Sequence, residues 1–395
     1  MKAIVNGRIV LPDCVLENKT LFFDERIADI ADGDGRIPEG VEVIDAFGGY
    51  VIPGFVDIHV HGGGGYDFLD SSPEAIENIL RTHALHGTTS LLATTLTCPD
   101  GILCRGIEAV GKAVSRGGSG GSEILGLHLE GPYFSAASKG AQAIREQKIP
   151  DREELENWKK LSKNSIVRID AAPELPNMDM LADWAGENGI LVSIGHSSAN
   201  AETAIEYLGK GFTHITHLYC STTTEHKEGQ TVHGGIVEAA YLCDGFTVEL
   251  IADGKHIPRE TMLLCFKIKG ADKVALITDA MRAAGTDVKT SVLGERETGT
   301  PVIVEDGVAK LEDRSSFAGS VATMDACFHT ALRYGIPLCD AVKSCTLTPA
   351  RIIGFDNRKG SLCAGKDADI LIYDGSFNLK KVYVRGNEVD GVGKN

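Results

Sequence analysis

Val51-Ile52-Pro53-Gly54-Phe55-Val56-Asp57-Ile58-His59-Val60-His61, followed by Gly62 to Gly65, is the stretch around which the chain is organised. It reads as a buried strand that ends in two histidines and then breaks into a glycine run. Strand side chains alternate, so His59 and His61 project to one side and Val60 to the other. Two imidazoles on one face of a strand end can converge on a metal ion. The plain alternative is a packed histidine pair with no ligand. The rest of the chain decides between them.

A chain of 395 residues, 43% of them hydrophobic, can bury a sizeable core in one large domain, or in one large and one small. A formal net charge of −16 argues against nucleic acid and anionic membrane surfaces as partners. It leaves room for a local basic pocket that takes a small anion. Met1 to Val10 reads as a strand, not a secretory leader, and no apolar run is long enough to cross a membrane. Ten cysteines are scattered from Cys14 to Cys363 without a CxxC pair, the pattern of reduced thiols in a cytoplasm.

Residues 1 to about 45 read as short strands joined by turns. Asn6-Gly7 between Ala3-Ile4-Val5 and Arg8-Ile9-Val10 is a hairpin signal, and Asp32-Gly33-Asp34-Gly35 is a second turn cluster. The other end is similar: Ala368–Tyr373 and Lys381–Val384 read as strands, with Gly386-Asn387 as a turn. We expect the two ends, residues 1–52 and 356–395, to form one small β-sandwich domain, with residues 53–355 inserted between them.

Inside the insert, apolar strand-like runs alternate with helical patterns. The runs are Val51–His59, Thr88–Thr95, Ile124–Glu130, Ile166–Ala172, Ile190–His196, Phe212–Leu218, Val248–Asp253 and Val274–Asp279. Pro73–His86, Glu153–Leu161, Met180–Asn188, Ala201–Leu208 and Arg259–Ile268 carry helical spacing and N-terminal signals. Eight such units predict an α/β fold of the (β/α)8 TIM-barrel type. The runs end in groups that bind metal or move protons: His59 and His61, Glu130, His196, His217, Asp253 and Asp279, with Glu174 just beyond another. In a barrel these ends meet at one mouth. Asp287 to Asp313 breaks the pattern and reads as a β insertion near that mouth, with Asp306-Gly307 as its turn.

Two other motifs are set aside. Ser119 in Gly117-Gly118-Ser119-Gly120-Gly121 matches GxSxG, but no apolar strand precedes it. Gly106 to Ala113 approaches a phosphate-binding loop, but Ala113 replaces its Ser/Thr and the segment has helical spacing.

The layout resembles the amidohydrolase superfamily, and within it the N-acetylglucosamine-6-phosphate deacetylase family. The matching pieces are Gly54 to Gly62, His128-Leu129-Glu130-Gly131-Pro132, Gly195-His196-Ser197, Thr216-His217-Leu218-Tyr219, Ile251 to His256, Thr278-Asp279-Ala280-Met281, Ala318-Gly319-Ser320 and Gly365 to Ile370. The resemblance implies a divalent metal held by Glu130, His196 and His217. His59 and His61 would add a second ion, shared with Glu130 and Asp279, and Zn2+ or Fe2+ suits such ligands. It also implies Asp279 as general base and then acid, Gln142 beside the acetyl group, and His256 beside the sugar or its phosphate. Ala141, Cys220, Ser221, Lys227 and Ala318 fall at substrate-binding positions. The partner implied is an amino sugar phosphate, the setting cytoplasmic, the assembly a homodimer.

One stretch departs from the family pattern. After His217 the family carries an Asn-Ala pair and a later Arg; here the chain reads Cys220-Ser221-Thr222-Thr223-Thr224-Glu225-His226-Lys227. Lys227 supplies charge only as a point cation, and the hydroxyls of Ser221 to Thr224 can donate to phosphate oxygens. A galacto, manno or unphosphorylated substrate therefore stands as the alternative. A ring-opening cyclic amidohydrolase is a second; such enzymes carry a carboxylated Lys, but the matching site here is Glu130, and Lys139 lies in a loop. A barrel without activity is a third, against which the intact Asp279 speaks. Among the other histidines, we expect His128 to face the barrel interior as support. His214 should lie on the strand face opposite His217, while His83, His86 and His329 pack on helices. Glu174 and Asp253 read as structural supports, and His226 and His233 are left unassigned.

Overall fold

The computed structural model describes residues 1–33, 37–117 and 120–393, so Asp34, Gly35 and Ser119 lie outside the described residues. Eight strands pair in parallel in chain order: β1 (Phe55–Val60), β2 (Thr88–Thr94), β3 (Glu123–Tyr133), β4 (Ile166–Ala171), β5 (Leu191–Ile194), β6 (Phe212–Ile215), β7 (Thr247–Ile251) and β8 (Val274–Ile277). A parallel bridge from Val60 to Ala280 closes the sheet on itself. At that seam the Thr278 hydroxyl donates to Asp57 Oδ2 at 2.6 Å, and Asp279 N donates to the His59 carbonyl at 3.1 Å. Gly54 enters β1 so close to its neighbour that a Cβ there would stand 2.2 Å from Thr89 Oγ1, which only glycine avoids.

The helices between and after the strands are α1 (Pro73–Leu85), α2 (Asp100–Arg116), α3 (Arg152–Leu161), α4 (Met178–Asn188), α5 (Ala201–Leu208), α6 (Ile236–Leu242), α7 (Arg259–Lys269) and α8 (Met324–Tyr334), with two short helices, Leu338–Cys345 and Leu347–Ile352, after them. Ser72 caps α1 through Ala75 N and Asp151 caps α3 through Glu154 N, as the N-terminal signals predict. Apolar strand and helix faces share one buried layer that includes Leu91, Leu127, Trp158, Leu181, Trp184, Phe212 and Phe328. The segment Gly106–Ala113 belongs to α2, so the phosphate-loop reading is rightly set aside.

Strands from both chain ends build the second sheet. Lys2–Val10, Val15–Phe23 and Ile27–Asp32 run antiparallel; Glu42–Asp45 and Tyr50–Pro53 lie parallel to Lys2–Val10; Ile370–Tyr373 pairs antiparallel with Tyr50–Pro53. Its own core gathers Ile4, Leu21, Phe23, Val51, Ile370 and Tyr383. Asn6-Gly7 is not the hairpin the sequence suggests. Lys2–Val10 is one strand, and the pair forms a bulge with Asn6 at φ 56°. The bulge lets the strand change partners, from Glu42–Asp45 along its first half to Tyr50-Val51 along its second. Near the C-terminus the turn is Arg385-Gly386, with φ 47° and 75°, one residue earlier than expected; Asn387 already pairs with Val384.

Asp287–Asp313 is an antiparallel insertion of Thr290–Leu293, Thr300–Glu305 and Val308–Leu311, turned by Asp306-Gly307 at φ 55° and 76°. A buried ionic cluster ties the returning C-terminal segment to the start of β3. Lys359 Nζ stands 2.7 Å from Glu123, 2.9 Å from Asp367 and 2.7 Å from Asp369. No described helix is long and apolar enough to cross a membrane.

Candidate metal centre

His196, His217 and Asp279 each sit two residues beyond their strands β5, β6 and β8, with φ of 46°, 26° and 50°. Side-chain residues in this left-handed region cost about 1–2 kcal/mol each and persist where surrounding structure over-determines them. The sequence reading runs the strands through these residues; in the structure the strands stop first and the chain turns. Alternation therefore does not carry past Ile215, and the expectation that His214 faces away from His217 fails. His214 lies inside the barrel, with Nε2 3.3 Å from Glu249 Oε2 and Nδ1 2.8 Å from Thr247 Oγ1.

At the mouth Glu130 is the hub. Its Oε1 stands 2.9 Å from His196 Nε2 and 3.1 Å from His217 Nε2, and its Oε2 accepts from Gln142 Nε2 at 2.7 Å. On the far side Asp279 Oδ1 lies 3.1 Å from His61 Nε2 and 3.5 Å from His59 Nε2. His59 Nε2 also faces Glu130 Oε1 at 3.7 Å, yet this wholly buried nitrogen has no hydrogen-bond partner. Ligand atoms of His59, His61 and Asp279 cluster within 4.8 Å of one another, as do those of His59, Glu130 and His217.

Three of the four histidines are held from behind. His196 Nδ1 meets the Ser138 carbonyl at 3.0 Å, His217 Nδ1 the Cys220 carbonyl at 3.0 Å, and His59 Nδ1 Glu249 Oε1 at 2.8 Å. Such contacts place the proton on Nδ1 and present Nε2 as the donor atom for a metal. Burial alone would lower the imidazole pKa of His61 and His217 and raise the carboxyl pKa of Glu130 and Asp279. Mutual contact reverses all four: both imidazoles are pushed up to about 9, and both carboxyls are held below their ordinary range. The cluster thus stabilises positive charge, which a divalent cation supplies in place of protons. Convergent imidazole and carboxylate donors, with His59 Nε2 buried and unpartnered among them, fit a divalent metal.

A cavity of about 300 Å3 opens over the cluster. Of the residues expected at the site, His61, Glu130, Ala141, Gln142, His196, His217, Cys220, Ser221, His256 and Asp279 line it. His59 lies beneath, fully buried. Ala318 is buried behind Phe317 and Gly319, which do line the cavity. Lys227 is not brought in: it is exposed on the hairpin His226–Glu228/Thr231–His233. Among the described lining residues there is no lysine or arginine. A larger groove of about 600 Å3 between α1 and α2 gathers no comparable set of ligands, so size alone does not mark the site.

The supports behave as their positions suggest. Glu174 accepts from Ser197 Oγ at 2.6 Å and Ser198 N at 2.5 Å, fixing the turn after His196. Asp253 Oδ2 holds His256 Nδ1 at 2.8 Å. His128 Nε2 lies 2.9 Å from Asp170 Oδ1, inside the barrel. The sequence reading missed Arg168 and Glu249, both wholly buried below the converging histidines and carboxylates, and Tyr219, whose hydroxyl is 2.5 Å from that of Tyr241. The available signal was a charged residue inside an apolar strand run, in Ile166–Ala171 and in Thr247–Ile251.

Residues 50–389 match the profile of the amidohydrolase family. The chain is 36% identical over 349 residues to an N-acetylglucosamine-6-phosphate deacetylase of Lysinibacillus sphaericus, covering 88% of this chain and 87% of that one. It is 30% identical over 374 residues to an N-acetylgalactosamine-6-phosphate deacetylase of Escherichia coli, covering 92% of this chain and 95% of that one. A crystal structure of N-acetylglucosamine-6-phosphate deacetylase from Pasteurella multocida superposes with a TM-score of 0.89 at 30% identity, covering 98% and 99% of the two chains.

Proposed function

The chain belongs to the amidohydrolase family, and from that premise we infer that it hydrolyses N-acetylglucosamine 6-phosphate to glucosamine 6-phosphate and acetate. The observation that carries this reading is the convergence of Glu130, His196, His217 and Asp279 around the unpartnered His59 nitrogen. We assign residues 53–355 to the catalytic barrel and residues 1–52 and 356–395 to the small β domain.

Glu130, His196 and His217 are the residues we assign to a principal Zn2+ or Fe2+. We assign His59 and His61 to a second such ion, shared with Glu130 and Asp279. Bound there, such an ion polarises the acyl carbonyl and acidifies water beside it. Asp279 takes the proton of the attacking water, then delivers it to the amine nitrogen as the C–N bond breaks. Gln142 accepts from Thr97 N at 2.9 Å, so its amide NH2 faces Glu130, and its second N–H remains for the acyl oxygen. His256, Cys220 and Ser221 take the sugar phosphate end, with Ala141 as an apolar wall and Ala318 supporting Phe317 and Gly319 from behind.

The phosphate calls for a cation, and the described residues lining this cavity include no lysine or arginine. We assign Lys227 to that role, brought in by closure of its hairpin or by the second copy of a homodimer. The ten cysteines are unpaired, which supports a cytoplasmic setting.

The test is a deacetylation assay of metal-loaded enzyme on N-acetylglucosamine 6-phosphate, its galacto and manno epimers, and the unphosphorylated sugars. A strong preference for the gluco phosphate is expected. Better turnover of the galacto compound, the substrate for which the Escherichia coli relative is named, would mean that Cys220–Lys227 re-specifies the pocket. Failure on every compound overturns the reading.

A further inference from the structure

Glu249 lies wholly buried in β7, an acid inside the apolar run Thr247–Ile251, and no step above uses it. Its two oxygens are nevertheless heavily engaged. Oε1 accepts from His59 Nδ1 at 2.8 Å, from His217 backbone N at 3.1 Å and from Arg168 Nη2 at 3.0 Å. Oε2 accepts from Arg168 Nη1 at 2.7 Å and faces His214 Nε2 at 3.3 Å. Arg168 is itself wholly buried and fixed by Asp170 Oδ1 at 3.0 Å, Ser193 Oγ at 2.8 Å and Thr216 Oγ1 at 2.7 Å. An arginine stays protonated in proteins, so its partner Glu249 is a carboxylate that only accepts. His59 must then carry its proton on Nδ1, which turns the lone pair of Nε2 toward the cluster.

Two facts make this more than a core ion pair. His59 is the one residue common to both groups of converging ligand atoms. The oxygen that orients it also holds the backbone of His217, a member of one of those groups, at the point where the chain takes φ 26°. We propose that Glu249 is a positioning residue for the metal centre, one carboxylate oxygen tying the ligand after β6 to the ligand of β1 and fixing Nε2 of His59 as a donor. The proposal rests on the metal-dependent reading above.

The experiment is a Co2+ titration of chelator-stripped protein, followed by absorption spectroscopy, for four forms: wild type, Glu249→Gln, His59→Gln and the double variant. Removing a group that orients a metal ligand weakens binding about 10–100-fold. That loss is expected for Glu249→Gln at the ion assigned to His59, while in the His59→Gln background the further loss is much smaller, confined to what reaches His217. Wild-type affinity in Glu249→Gln overturns the proposal, as does an equal further loss in the His59→Gln background. If Glu249→Gln does not fold, the cobalt-loaded wild type decides by proton NMR. A paramagnetically shifted, slowly exchanging Nδ1–H signal that vanishes in His59→Gln is expected, and its absence overturns the proposal. Wild type that binds no Co2+, or that keeps full activity after stripping, sinks the metal-dependent reading itself and is seen before any variant is compared.

Discussion

Two buried ionic clusters sit at opposite ends of the barrel strands, and they are built differently. At the start of β3, Lys359 stands among three carboxylates at 2.7–2.9 Å, its charge matched on every side. At the strand ends, Glu130 and Asp279 face four imidazoles, and His59 Nε2 is left without a hydrogen bond although it is fully buried. The first cluster is closed: removing a member leaves buried charge uncompensated. The second is open, with the geometry complete for a group the chain itself does not provide. Burial of charge alone does not mark a functional site; imidazoles and carboxylates whose ligand atoms converge beneath a cavity do.

The sharpest way to break the comparison is Asp279→Asn. It should lower kcat roughly 10²–10⁴-fold with little change in melting temperature; a variant of lowered melting temperature with wild-type kcat per folded molecule would merge the two clusters into one structural class. Lys359→Met should do the reverse. Breaking a buried ion pair costs about 3–5 kcal/mol, to be read from urea unfolding, while kcat per folded molecule stays at the wild-type value.

His83 gives a pH test away from both clusters. Burial pushes its pKa down from 6.5 to about 4, although the Gly62 carbonyl 2.9 Å away partly opposes this. The unfolded chain takes up a proton near pH 6.5 that the folded protein refuses until about pH 4. Stability is therefore full above pH 6.5 and falls between those values, by as much as about 3 kcal/mol. His83→Gln keeps a donor for Gly62 and should flatten that part of the pH–stability curve; an unchanged slope refutes the assignment.

Chelation should reach the open cluster alone. With metal at about 100 times its Kd, occupancy adds about 2.7 kcal/mol, so stripping should lower Tm in the wild type and leave the cost of Lys359→Met unaltered. The smallest effect is at the rim. Lys227→Ala should raise KM for the phosphorylated sugar about tenfold, near 1.4 kcal/mol, without altering turnover of the unphosphorylated sugar.

The barrel and its catalytic end were legible because both rest on one-dimensional signals. Apolar runs alternate with capped helical segments, and His59, Glu130, His196, His217 and Asp279 punctuate the ends of the runs, the first three close to glycine or proline. Arg168 and Glu249 escaped because little that is local explains them: apart from Asp170 beside Arg168, their partners come from different strands, and each alone looks like an error in an apolar run. His214 was misplaced because period-two reasoning assumes a strand, and the strand stops at Ile215. Asn6-Gly7 misled for the opposite reason. A pair suited to positive φ serves a bulge as well as a turn, and the choice was made by Glu42–Asp45 and Tyr50–Pro53, which no local window contains.

The pairing of Tyr50–Pro53 with Ile370–Tyr373 has a consequence for synthesis. The early strand emerges from the ribosome some 320 residues before its partner, which at 5–20 residues per second is a delay of about 15–60 s. Throughout that interval it offers an unpaired edge to any other nascent chain. The small sheet can therefore be completed only after the barrel strands have been translated, and it depends most on what shields it meanwhile.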